Sequence, residues 1–141
     1  MSLLSASSLS LSPTTHTDLS IDGLRRRVRG TVVLEGDDGY TDAVTGWSLN
    51  MRQRPLVVVV ARSSSDVAEA VRFAAAHRLT VGIMATGHGA RPVDGGMLVV
   101  TAELRDVTID PVNRTASIAA GAKWQIVLDA AQEHGLAPLL G

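Results

Sequence analysis

LVVVVARSSSDVAEAVRFAAAHRLTVGIMA, residues 56–85, is the stretch whose reading decides the fold. Its first six residues are apolar and mostly β-branched, as in a strand buried on both faces. Ser63 with Asp66 three residues on makes a capping-box-like helix start. Val67, Ala70, Val71 and Ala74 then recur at i, i+3, i+4 and i+7, which is one helical stripe. LTVGIMA, residues 79–85, is a second short apolar run. Strand, helix and strand form a βαβ unit, whose two strands are expected to run parallel.

Working outward, GIMATGHGARPVDGG (82–96) is a loop with five glycines, and MLVVTA (97–102) reads as a third strand, again buried. VTIDPVNRTASIAA (107–120) reads as a hairpin turned at Pro111, Val112 and Asn113. GAKWQIVLDAAQEHG (121–135) supplies a helix with a stripe of Trp124, Val127, Leu128 and Ala131, closed by Gly135 as C-cap. On the other side, DLSIDGLRRRVRG (18–30) offers Ser20 or Asp22 as a cap and a short basic helix stopped by Gly30. TVVLEGD reads as a brief strand, and YTDAVTGWSLNMRQRP as a polar, meandering connection to Pro55. Residues 1–17 are Ser/Thr-rich without Lys or Arg, which suits a disordered tail better than a secretory signal. The expectation is an α+β or α/β domain with a mixed sheet over residues 18–141, in a cytoplasmic protein.

Composition narrows the function. At 141 residues the chain fits one domain with a real core. A net charge of −1 gives no electrostatic case for nucleic acid or an anionic membrane. Arg25, Arg26 and Arg27 read as a solvated helix face. No apolar run is long enough to cross a bilayer. Cysteine is absent, which removes disulfides, thiolate metal sites and cysteine nucleophiles together, and no metal-ligand cluster appears. Aromatic residues are 3% of the chain, so the core must be aliphatic and a base-stacking platform is lacking.

The glycine loop holds the chemistry. It does not match the dinucleotide fingerprint, because Pro92 takes the third glycine position of Gly87-x-Gly89-x-x and a strand follows instead of a helix. Nor does the chain contain Gly-Lys-Ser/Thr. ATGHGA, residues 85–90, remains as a run of small residues whose backbone N–H groups can converge on an anion; the competing reading is a glycine-rich connection that binds nothing. His88 weighs against the latter. His77 and His134 sit in last turns of helices, where a cation suits the dipole, and His16 lies in the tail. Only His88 has no structural explanation.

From Pro55 onward the residues resemble the FAD-binding domain of the vanillyl-alcohol-oxidase superfamily, and within it the berberine-bridge-enzyme-like oxidoreductases. The pieces that carry the resemblance are RPLVVVVARSSSDVAEAVRFAAAHRLTVGI, ATGHGARPVDGGMLVVTAELRDVTIDP and AAGAKWQIVLDAAQEHGLAPLLG, with Asn50 before them. The resemblance implies that Ala85, Thr86, Gly87, His88, Gly89 and Ala90 cradle the FAD pyrophosphate through backbone amides. It also implies that His88 bonds covalently to the flavin 8α-methyl, an imidazole nitrogen being a good nucleophile toward the electrophilic form of that group. Gly121 and Ala122 lie near the flavin by the same analogy; otherwise GAKW is a tight turn followed by a core tryptophan. The commonest form of the loop carries Arg, Ser, Gly, Gly, His, Ser, where this chain has Met84, Ala85, Thr86, Gly87, His88 and Gly89. The arginine is lost and Thr86 replaces a glycine, with a hydroxyl available to phosphate.

The resemblance implies a portion of a longer FAD-dependent oxidoreductase that takes a hydride from an alcohol, sugar or amine-bearing carbon and passes electrons to oxygen. No residue here can be named as a general base or hydride-transfer partner, and the 141 residues alone are expected to be inactive. Two other readings stay open. One is a catalytically inert module that self-associates through an exposed apolar face. The other is a noncovalent FAD reductase of the kind that acts on cell-wall precursors.

Overall fold

The computed structural model describes residues 20–49, 52–89 and 91–139; the expected tail, Asn50, Ala90 and Gly141 lie outside the described residues. The elements in order are α1 (Ile21–Arg27), β1 (Thr31–Val33), α2 (Tyr40–Val44), β2 (Val57–Val60), α3 (Ser64–Ala76), β3 (Val81–Met84), β4 (Met97–Val100), β5 (Val107–Asp110), β6 (Thr115–Ile118) and α4 (Trp124–Gln132). Four strands make a mixed sheet in the order β1-β2-β4-β3, and β5 and β6 form a separate antiparallel hairpin.

β2 and β3 do run in one direction, but they are not neighbours. β4 lies between them, parallel to both, with Val57 and Val81 opposite Met97 from either side. The return loop explains the insertion. Arg54 donates its N–H to the Val93 carbonyl, and Gly95 and Leu56 complete hydrogen bonds between the two segments, so β4 starts already docked on the approach to β2. β1 pairs antiparallel with the other side of β2.

Burial follows this order. β2 and β4 are central, and Val57, Val58, Val59, Met97, Leu98 and Val99 are essentially inaccessible. β3 is an edge strand: Val81 is exposed and Ile83 is 63% exposed, which corrects the expectation of two equally buried runs flanking the loop. On one face of the sheet, α1 and α3 cover Val57, Val59, Met97 and Val99 through Leu24, Ala70, Phe73 and Ala74. On the other, Tyr40 of α2 joins Val33, Val58, Leu98 and Met84.

The helices differ from their sequence reading in three details. The buried stripe of α3 is Asp66, Ala70, Phe73 and Ala74, and Val71 faces water. α2 forms where a meander was expected, because Tyr40 buries its ring and donates its hydroxyl to the Pro55 carbonyl at 2.9 Å. Trp124 lies on the surface at 37% exposure instead of in the core, leaving Val127 and Ala131 as the buried residues of α4. Ser20 is the N-cap residue of α1, but its side chain makes no capping bond. Gly30 is needed for a reason other than ending α1. A Cβ there would stand 1.9 Å from the Val60 carbonyl oxygen.

Asp66 ties the two halves of this layer together. Ser63 caps α3 by accepting from the Asp66 N–H, while the Asp66 carboxylate accepts from the backbone N–H groups of Arg62 (2.8 Å), Arg29 (2.9 Å) and Gly30 (3.1 Å). Burial pushes its pKa up, but these bonds outweigh the desolvation and hold the carboxyl below its usual range. The capping-box residue is thus a cross-link between the α1–β1 and β2–α3 connections. Arg25 and Arg27, expected on a solvated face, make surface ion pairs with Asp37 and Glu69.

Candidate flavin site

The carboxyl ends of β2, β4 and β3 open on one edge of the sheet, the edge at which parallel α/β sheets place ligands. The glycine loop leaves β3 there. Met84, its last strand residue, is buried against Val58 and Tyr40, and the Gln53 amide contacts its sulfur at 3.3 Å. Met84, at the position where the resemblance implies an arginine, is therefore part of the core.

From Ala85 to Gly89 the chain curls around a shallow hollow of about 220 Å³, lined by Ile83 through Gly89. Gly87 has φ +85, a left-handed conformation, and its Cα packs on the segment just after α2. A Cβ at Gly87 would stand 2.6 Å from Gly46 Cα and 3.0 Å from the Trp47 nitrogen. A Cβ at Gly46 would stand 3.0 Å from Gly87 Cα, a tight contact, and the Trp47 N–H donates to the Thr86 carbonyl at 2.8 Å. Two glycines back to back thus let a second segment brace the loop.

That brace reaches His88. The Trp47 indole stacks on the imidazole, with ring centroids 4.2 Å apart and planes 16° from parallel. Thr86 Oγ1 lies 3.0 Å from His88 Nδ1. When Nδ1 carries the proton and donates to Oγ1, the lone pair resides on Nε2, which meets no partner among the described residues. Sequence reasoning found Thr86 and His88 but passed over Trp47. Its signal was present only as an aromatic beside a glycine in a polar stretch.

The loop suits an anion on two counts. Among the described residues, the backbone N–H groups of Thr86, Gly87, His88 and Gly89 donate to nothing. A side chain at Gly89 would project into open space, so the glycine leaves the backbone accessible. At the same end of the sheet, Thr101 follows β4 and donates its N–H to the Met84 carbonyl, while its buried hydroxyl has no partner. The exposed loop amides are groups that a polar ligand can satisfy.

Gly121 and Ala122 reach this edge but not the loop. Gly121 donates to the Leu104 carbonyl, and a Cβ there would stand 2.0 Å from the Thr101 carbonyl oxygen. Its lack of a side chain is explained by that contact with the turn after β4. Neither residue lines the hollow beside His88. A larger hollow of about 580 Å³ lies elsewhere, between the hairpin and α4, among Ile109, Ile118, Trp124 and Leu136. Among the described residues no group of acidic side chains and histidines is arranged to hold a metal, and no helix is long and apolar enough to cross a membrane.

The chain is thus a mixed-sheet α+β domain with a histidine-bearing, glycine-rich loop at its strand ends. The FAD binding domain family matches residues 55–140, and the chain belongs to it. Among the relatives, an FAD-linked oxidoreductase of Bacillus subtilis (strain 168), YvdP, is 28% identical over 67% of this chain and 22% of its own length. An oxidoreductase of the fasciation locus of Rhodococcoides fascians is 34% identical over 67% of this chain and 22% of its own. Among solved structures, 6-hydroxy-D-nicotine oxidase from Arthrobacter nicotinovorans superposes with a TM-score of 0.68 at 26% identity, over 77% of this chain and 24% of that one. Berberine-bridge-enzyme-like 1 of Physcomitrella patens shares the fold, with a TM-score of 0.60 at 19% identity, over 72% of this chain and 23% of that one. The resemblance to an FAD-binding domain is thereby confirmed, the berberine-bridge-enzyme-like structure shares its fold, and FAD is the cofactor of the family. The chain spans between 21% and 26% of the lengths of the curated relatives it matches.

Proposed function

We propose that this domain serves a flavin-dependent oxidoreductase, holding the FAD pyrophosphate on the amides of residues 85–90 and anchoring the flavin covalently through His88. The observation that carries the reading is an exposed imidazole on a loop at the carboxyl edge of a sheet of the FAD binding domain family, where one imidazole nitrogen and the amides of Thr86 through Gly89 meet no partner among the described residues. Bound flavin supplies two-electron chemistry, accepting a hydride from an alcohol, sugar or amine-bearing carbon and passing electrons to oxygen.

The chain's own residues contribute position. Thr86 holds Nδ1, which leaves Nε2 as the nucleophile. With the new bond at Nε2, Nδ1 would release its proton and become the acceptor of the Thr86 hydroxyl, and bound FAD would supply the two-electron acceptor for the attachment. Gly121 and Ala122 stay in the proposal only as neighbours of the bound cofactor, on the same edge of the sheet.

Intact mass of the denatured chain, expressed with abundant riboflavin, tests this. The expected result is an adduct with the mass of FAD that disappears in His88→Ala. A yellow protein that releases all its flavin on heating or acid would overturn covalent attachment and favour the noncovalent reductase type. A second reading, the self-associating module, is favoured by the exposed apolar residues Ile118, Trp124 and Leu139 around the hairpin–α4 hollow. Concentration-dependent oligomers of a colourless chain would select it.

A further inference from the structure

We infer that Trp47 is a positioning residue for His88: its indole holds the imidazole in the orientation in which Nδ1 meets Thr86 and Nε2 faces away from the chain. The inference rests on the reading of His88 as the flavin attachment point, and names a residue outside the loop on which that attachment depends.

The geometry singles Trp47 out. Its side chain is 72% exposed, so core packing does not account for its placement. The backbone on either side is fixed instead. Gly87 approaches Gly46 too closely to carry a Cβ, a Cβ at Gly46 would make a tight contact, and the Trp47 N–H is bonded to the Thr86 carbonyl. With its backbone pinned to the loop, the indole is delivered onto one face of His88 at 4.2 Å and nearly parallel. The Thr86 hydroxyl takes one ring nitrogen. One face and one nitrogen are thus occupied by the protein, while Nε2 meets no partner among the described residues. A histidine in a loop of glycines otherwise rotates through several rotamers, only a fraction of which present Nε2 in this way.

Two measurements on the 141-residue chain test it. In flavin-free protein, the indole ring current should move the His88 ring-proton resonances upfield, and Trp47→Leu should return them to the positions of a free imidazole. With added FAD, covalent incorporation followed by mass should slow by about threefold to tenfold in Trp47→Leu, the range set by the worth of an aromatic pair. Trp47→Phe should restore most of the rate, because a second ring restores the stack. Wild-type resonances without the upfield shift would overturn the inference, as would Trp47→Leu incorporating flavin at the wild-type rate. If no adduct forms even in the wild type, the attachment reading fails, and the resonances alone decide whether Trp47 orients His88. Trp47→Ala replaces Trp47→Leu as the ring-free variant if the leucine variant does not fold.

Discussion

At the scale of single residues, Asp66 and Gly87 show how much one position can carry. The Asp66 carboxylate satisfies three backbone N–H groups from two connections, and removing it leaves all three without a partner. Asp66→Ala should therefore cost about 3 kcal/mol, read as a lower urea midpoint. Asp66→Asn should recover part of that, since its amide oxygen still accepts. Gly87→Ala meets both obstacles at once, a left-handed backbone and a clash with the Gly46–Trp47 backbone. Cofactor uptake should fall in this variant together with stability, by about 2 kcal/mol or more, because the brace on His88 is displaced. Arg78 is the opposite case. It adopts φ +55 just after α3, a conformation that glycine adopts without strain. Arg78→Gly should raise stability by about 0.5 kcal/mol, the relief of strain being partly offset by greater freedom of the unfolded chain.

At the scale of elements, the ends of the helices were legible and their faces less so. Gly135 closes α4 as expected: it has φ +65, donates to the Gln132 carbonyl, and Leu136 donates to the Ala131 carbonyl. The hairpin turn also followed from local chemistry. The Asp110 carboxylate accepts from the N–H groups of Asn113 and Val112 and from the Asn113 side chain, and these bonds, the Asn113 backbone bond first, draw its pKa below the usual range. Faces depend on what the element packs against, so Val71 could be counted into a stripe that the sheet never meets. The same distinction predicts how the molecule opens. Amides of β2 and β4, paired on both sides, should be the slowest to exchange with deuterium. Those of β5 and β6 should exchange much sooner, because their only pairing is with each other and β6 is exposed along its whole length.

At the scale of the whole molecule, stability should depend on acid in a defined direction. Asp66 titrates lower in the folded chain than in the unfolded one. Its contribution is therefore fully present above the unfolded carboxylate value of about 4 and is lost as pH falls through the lower folded value. Urea midpoints measured downward from pH 5 should fall more steeply for the wild type than for Asp66→Asn; equal slopes would show that other carboxylates control acid unfolding. Sequence by itself determined the mixed α+β class and the elements other than α2, and it singled out the glycine loop and His88 as the candidates for chemistry. Those are matters of local chemistry: β-branched runs, caps, glycines and a histidine with nothing structural to do. Only the tertiary structure decided that β4 slides between β2 and β3, which turned β3 into an exposed edge. It alone decided that Met84 belongs to the core and that Gly121 is shaped by the Thr101 turn. And it brought Trp47 onto His88 from 41 positions away in the chain. Strand order and ring stacking are contacts between distant segments, set by which surfaces bury one another best, and no local pattern of residues records that outcome.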